Sequence, residues 1–231
     1  MFDISPAEWT AILLSLRVAV IATLVATPFG IALAWLLARY NFWGKSALDA
    51  LVHLPLVLPP VVTGYLLLLT LGRRGLIGAW LADNLGIVFA FRWTGAALAC
   101  GVMSFPLLVR PIRLSIEAID RRLEQAASTL GAAPWKVFAT VTLPLALPGI
   151  LAGMVLGFAK AIGEFGATIT FVSNIPGETQ VISSAIYSLI QTPDGDAAAM
   201  RLVIISIVIA TAALIASEWF ARRATQRLHG N

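Results

Sequence analysis

Long, nearly uncharged runs alternate with short charged segments along this chain. A helix that crosses the hydrocarbon layer of a bilayer needs about 20 apolar residues. Residues 9–38, 52–71, 93–115, 137–165 and 197–219 are of that length. They predict five spanning helices, an all-α polytopic membrane domain over residues 9–220 and a short tail at 221–231. A sixth apolar stretch, "QVISSAIYSLI", has only 11 residues. Ile182, Ile186, Leu189 and Ile190 fall on one helical face of it, which suits a partly buried or interfacial helix better than a span. Trp9, Trp35, Trp43, Trp80, Trp93, Trp135 and Trp219 sit near the ends of the runs, where the amphipathic indole prefers the headgroup level.

Composition fixes the class. The chain is 59% hydrophobic and 12% charged, with a mean hydropathy of +0.88, whereas soluble domains carry about 25% charged residues. One aqueous core cannot hide that much apolar side chain, so the chain is read as an integral membrane protein. The net charge of +4 does not point to nucleic acid, because the basic residues follow the loops and form no single stripe. The one cysteine, Cys100, lies in an apolar run, which excludes an internal disulfide and predicts a buried thiol. The opening "MFDISPAEW" is acidic and the apolar run behind it is too long for a signal core, so the first run is expected to stay in the mature protein.

Lysine and arginine give a direction. Arg39 and Lys45 follow the first run. Arg110, Arg113, Arg121, Arg122 and Lys136 follow the third, and Arg222, Arg223 and Arg227 lie in the tail. Together they are ten of the sixteen basic residues. Placed in the cytoplasm, they put the N-terminus outside and the C-terminus inside. Asp3, Glu8, Asp83, Glu178, Asp194 and Asp196 then fall outside. Arg73, Arg74 and Arg92 run against the rule.

The connection after the third run has its own pattern. Leu123, Ala126, Ala127 and Leu130 stand at helical spacing and make one small apolar face, predicting a short helix within residues 120–132. Asp120 is placed to cap it, Glu124 suits the positive end of its dipole, and Gly131 is placed to end it. Pro134, Pro144 and Pro148 then shape the way back into the membrane.

That stretch, "EQAASTLGAAPWKVFATVTLPLALPGI", resembles the EAA motif of type I ABC importer permeases. The likeness is carried by Glu124, Ala126, Ala127, Gly131, Leu143 and Pro144, with Gln125 where the pattern has its first alanine. "HLPLVLPPVVTGYLLL", "MSFPLLVRPIRL" and "GEFGATITFVSNIPGET" extend it over nearly the whole chain to the branch that imports molybdate. The resemblance implies the type I importer fold and a segment at 120–132 that couples to a cytoplasmic ATPase. Glu124 would there meet basic residues of the ATPase, and Ala126 and Ala127 would fit its groove. It further implies a permease homodimer, two ATPase subunits that bind ATP and Mg, and a periplasmic molybdate-binding protein. Tungstate, sulfate and thiosulfate remain alternative cargoes. No cofactor or metal is expected on this chain itself.

Polar residues within the runs are the remaining candidates. Pro55, Pro59 and Pro60 open the second run and predict bent backbone at a site packed in protein or lining a path. Lys160 and Glu164 stand four apart and are expected to pair. Thr168, Thr170, Ser173 and Asn174 offer donors that would line a translocation path or else bond their own backbone. Arg17 is expected to reach toward headgroups. An intramembrane enzyme would need a set of acids, bases or nucleophiles, and only Lys160 and Glu164 are available. A passive channel leaves the segment at 120–132 unexplained. No G-x-x-x-x-G-K-[ST] pattern cradles a nucleotide, "GRRGLIG" has no strand before it, and His53 and His229 are badly placed for metal or base chemistry.

Overall fold

A computed structural model of the chain describes residues 4–229, with side chains through residue 216. Asp3 and the side chains of Trp219, Arg222, Arg223, Arg227 and His229 lie outside the described residues. Every regular element among the described residues is helical.

The first helix, α1 (Pro6–Arg39), starts where the sequence supplies a complete cap. The Ser5 hydroxyl accepts from Glu8 N, and the Glu8 carboxylate accepts from Ser5 N. The second run is not one rod. It forms α2 (Lys45–Val57) and α3 (Pro60–Leu71), bent by 114°. Pro59 and Pro60 lack the amide hydrogens that would carry the ladder across Leu58, so the helix breaks there. A helix that the hydropathy pattern leaves in a loop follows, α4 (Leu76–Leu85). Next come α5 (Trp93–Glu117) and the short α6 (Arg121–Thr129). The fourth run is a continuous helix that begins earlier and ends earlier than expected: α7 (Pro134–Val137), a π turn (Phe138–Thr142) and α8 (Leu143–Ile162). It stops at Gly163, and α9 (Gly166–Val172) begins after a break. The sixth apolar stretch forms α10 (Ile182–Leu189), far too short to span. The last helix, α11 (Asp196–His229), runs on through the residues set apart as a tail.

Four helical stretches are long and apolar enough to cross a membrane, or five if α2 and α3 together make one crossing. Contacts at opposite ends of α1 and α5 decide the matter. Arg17, in the first half of α1, stacks on Trp93 at the start of α5, and Arg39 at the end of α1 bonds the carbonyl of Ile119 just past the end of α5. The two helices therefore run in the same direction. The chain between them has to return across the layer, so the elbow of α2 and α3 is a broken crossing. At the Pro6 end of α1, Ser15 accepts from the Ile182 amide and Glu8 pairs with Arg201 of α11. The bundle thus has one end formed by Arg39 and α6, and an opposite end formed by Ser5, α10 and the start of α11.

Three apolar clusters fill the bundle. One joins α1 (Val18, Ala19, Ala22) to Ala96, Cys100, Met103 and Phe171; a second joins Ala34 to Leu108, Ile112 and Ile150; a third joins Ala11 and Ile12 to Ile182 and Leu202. Alanines dominate the α1–α5 contact, which lets the two backbones approach closely without a solvent-driven collapse. Cys100 is buried, with its Sγ 3.6 Å from the Ala161 carbonyl.

Candidate functional site

The segment at 120–132 is built as its residues dictate. Asp120 Oδ1 accepts from Arg122 N at 2.9 Å, closing the N-cap of α6. At the other end Gly131 turns into the left-handed region, with φ +83°, and the Ala132 amide bonds back to Ala127 O at 3.2 Å. Left-handed backbone is costly for residues with a Cβ, so glycine suits this position. Pro134 then opens α7 with its φ already helical. None of the residues of α6 is buried. Leu123 and Leu130 are 50% and 88% exposed, and Ala126 is exposed beside them.

Glu124 does not join that outward face. The resemblance implies a meeting with basic residues of a partner; within this chain its carboxylate bonds Arg39 and Thr142. Oε1 accepts from Arg39 Nε at 3.1 Å and Nη2 at 3.0 Å, and from the Thr142 hydroxyl at 2.6 Å. A cleft of about 520 Å³ opens beside them, lined by Trp35, Tyr40, Gln125 and Phe138 among others. Thr142 closes the π turn, in which Leu143 N bonds Phe138 O, and Leu143 and Pro144 start α8. Single wide turns of this kind occur often at functional positions in helices.

The second set of candidates meets at the break between α8 and α9. Lys160 Nζ lies 2.6 Å from Glu164 Oε2, yet the two do not share a helix face. Glu164 sits past the end of α8, 1% exposed, and its Oε1 accepts from Ala167 N at 3.0 Å. It thereby neutralises Lys160 and satisfies an amide in the first turn of α9. Its own carbonyl accepts from the Ser183 hydroxyl at 2.6 Å. Gly64 of α3 lies against Ala167, and Pro60 against Gly166, so the two interrupted helices pack on each other. Irregular backbone at membrane depth is tolerated where protein covers it.

The hydroxyls that follow are already engaged. Thr168 donates to Phe165 O at 2.9 Å and Thr170 to Gly166 O at 2.8 Å. Asn174 Nδ2 donates to Ser188 Oγ at 2.6 Å, while Ser173, exposed with φ +66°, has its carbonyl bonded by Thr179. Arg17 is exposed, and its guanidinium lies 3.8 Å from the Trp93 ring centroid. His53 Nδ1 meets Asp49, which also pairs with Arg113. No metal-binding cluster occurs among the described residues.

Residues 26–226 match the family described as "Binding-protein-dependent transport system inner membrane component". The chain belongs to that family. It is a multi-pass permease of the inner membrane and not itself a catalyst, and the family's transport systems imply ATPase subunits and a periplasmic binding protein. The permease is 63% identical over 220 residues to the Molybdenum transport system permease protein ModB of Escherichia coli (strain K12), covering 95% of this chain and 96% of that one. It is 57% identical to the protein of the same name from Haemophilus influenzae, covering 96% of each. Against the Sulfate transport system permease protein CysT of Escherichia coli the identity is 36%, over 91% of this chain and 75% of that one. Among solved structures, the bacterial alginate ABC transporter in complex with its alginate-bound periplasmic protein superimposes with a TM-score of 0.75 at 21% identity, covering 96% of this permease and 81% of that chain. That likeness carries the fold alone.

Proposed function

We propose that this permease carries molybdate across the inner membrane by alternating access. The observation that carries the reading is the 63% identity over 95% of the chain to a molybdenum permease, against 36% for the sulfate relative. Two copies form the pathway. Two ATPase subunits bind ATP and Mg and dock on α6, where Leu123, Ala126 and Leu130 are exposed, Ala127 is half-buried and Gly131 sets the exit angle. A periplasmic molybdate-binding protein delivers the anion at the opposite end of the bundle.

This assignment makes the end with Arg39 and α6 cytoplasmic and the Ser5 end periplasmic. Arg39, Arg121, Arg122 and Lys136 gather at the α6 end, in agreement with the bias of basic residues toward the cytoplasm. Leu143 and Pro144 lead the coupling segment into α8. At its far end, Lys160 and Glu164 act as a structural pair that holds the α8–α9 break. With the pair neutral and the threonine hydroxyls spent on backbone, no tight cage of charge surrounds the anion, which suits a carrier that has to release it. Of the four donors first considered for the path, the exposed Ser173 is the one left to face a passing oxyanion, since the Asn174 amide is engaged with Ser188.

The test is uptake of labelled molybdate into proteoliposomes that hold the permease, its ATPase and its binding protein. ATP-dependent uptake suppressed by tungstate and resistant to excess sulfate is the expected result. Sulfate uptake that molybdate does not suppress would reassign the cargo to the sulfate class, and uptake without ATP would remove the importer reading.

A further inference from the structure

The coupling helix hangs from the membrane body by very few contacts, and they converge on one carboxylate. α6 buries none of its residues, so no apolar seat holds it. Its polar ties are the three hydrogen bonds to Glu124 Oε1 and a 3.0 Å contact from Arg39 Nε to Oε2. The other ties at this corner are 3.4 Å contacts from Arg39 to the Ile119 carbonyl and from Arg121 to the Ala38 carbonyl. Arg39 lies in the last turn of α1 with its side chain 9% exposed, and Thr142, 1% exposed, stands immediately before α8. Thus α1, α6 and α8 meet at a single oxygen. Charge-assisted hydrogen bonds are short and directional, and a buried pair resists separation because either partner left alone is an uncompensated charge.

We infer that Glu124 is a positioning residue, a joint that passes displacement of α6 into α1 through Arg39 and into α8 through Thr142, and not a contact with the ATPase. The inference rests on the reading of α6 as the ATPase-docking segment. A push on Leu123 or Leu130 has no soft apolar packing within α6 in which to dissipate. It is transmitted through Glu124 to two membrane helices at once. The π turn supplies the position of the Thr142 hydroxyl and a wider, more compliant turn just where the load enters α8.

The experiment uses the whole complex in proteoliposomes with three readouts: ATPase retained, ATP hydrolysed and molybdate taken up. Glu124→Gln and Arg39→Gln are each expected to retain the ATPase while molybdate taken up per ATP hydrolysed falls roughly tenfold, and the double variant is expected to lose no more than either single one. A role confined to folding would lower the amount of complex and leave that ratio unchanged. Thr142→Val is expected to lower the ratio in the same direction by a smaller factor. Loss of the ATPase in Glu124→Gln but not in Arg39→Gln, an unchanged ratio, or losses that add in the double variant would each overturn the joint. Leu123→Asp tests the underlying reading separately: it is expected to shed the ATPase, and retention would remove α6 as the docking segment whatever Glu124 does. If neither charge variant accumulates in the membrane, Thr142→Val decides, and a wild-type ratio there overturns the proposal.

Discussion

Gly64 of α3 rests directly on the backbone of Ala167 of α9: a methyl group on Gly64 would stand 2.5 Å from the Ala167 carbonyl oxygen. Each of these helices follows an interruption, one at Pro59 and one at Glu164, and they are the two elements that meet. Neither backbone has room to withdraw, since α3 continues into the elbow and α9 is held by the Glu164 carboxylate. Gly64→Val is expected to destabilise the permease by about 1–3 kcal/mol through overpacking, with Gly64→Ala milder. Thermal unfolding of the purified complex checks this, and an unchanged midpoint in Gly64→Val would show that the contact yields freely.

Removing Lys160 leaves the Glu164 carboxylate buried with one backbone amide as its remaining donor. Breaking a buried pair from one side costs about 3–5 kcal/mol, and the low end is expected because the Lys160 side chain keeps 29% of its surface exposed. Lys160→Met should therefore unfold more readily than Lys160→Met combined with Glu164→Gln, whose neutral amide needs no counter-charge. A double variant as unstable as the single one would mean that the pair contributes packing only.

Direction in the membrane is open to a labelling test. Cys100 is 1% exposed, so the native chain presents no accessible thiol among its described residues. A cysteine at Ser128 should react with an impermeant maleimide only after the cells are opened, and one at Asp83 in intact cells. The reverse pattern would invert the topology while leaving the helix arrangement as it is.

Gly131 should tolerate no side chain. There is open space around its Cβ position, so any penalty comes from backbone and not from collision. Gly131→Val is expected to cost about 1–2 kcal/mol locally and to re-aim the coupling segment. The purified permease should then hold less ATPase at normal membrane levels. Full retention of the ATPase would show that the exit angle of α6 does not matter for docking.

How much of this was legible follows from the range of each signal. The limits of α6 could be read because a cap acts over two residues and a left-handed turn over one; Asp120 and Gly131 are sufficient signals. The pairing of Lys160 with Glu164 was visible at four residues' separation, although the break that lies between them was not, since nothing local distinguishes Gly163 from a glycine inside a helix. The prolines at 59 and 60 announced a bend, but its 114° depends on what α3 packs against. Least legible was the partner of Glu124. Arg39 lies 85 residues away in the chain, and the family pattern that makes Glu124 conspicuous directs attention outside the chain, away from Arg39. Arg17 illustrates the same limit: its ring contact with Trp93 needs two helices placed side by side before it can be seen.

A nine-residue helix that buries nothing is marginal in water by itself. A copy of this permease made without its ATPase therefore displays two bare leucines on a segment with no apolar seat of its own, and exposed apolar side chains are what cellular chaperones and proteases act upon. If α6 is the docking segment proposed above, the feature that fits the subunit for its partner also marks the orphan. Under the proposed assembly, how long a newly made permease survives is set by the supply of ATPase, and the two would be kept in proportion by turnover as much as by expression.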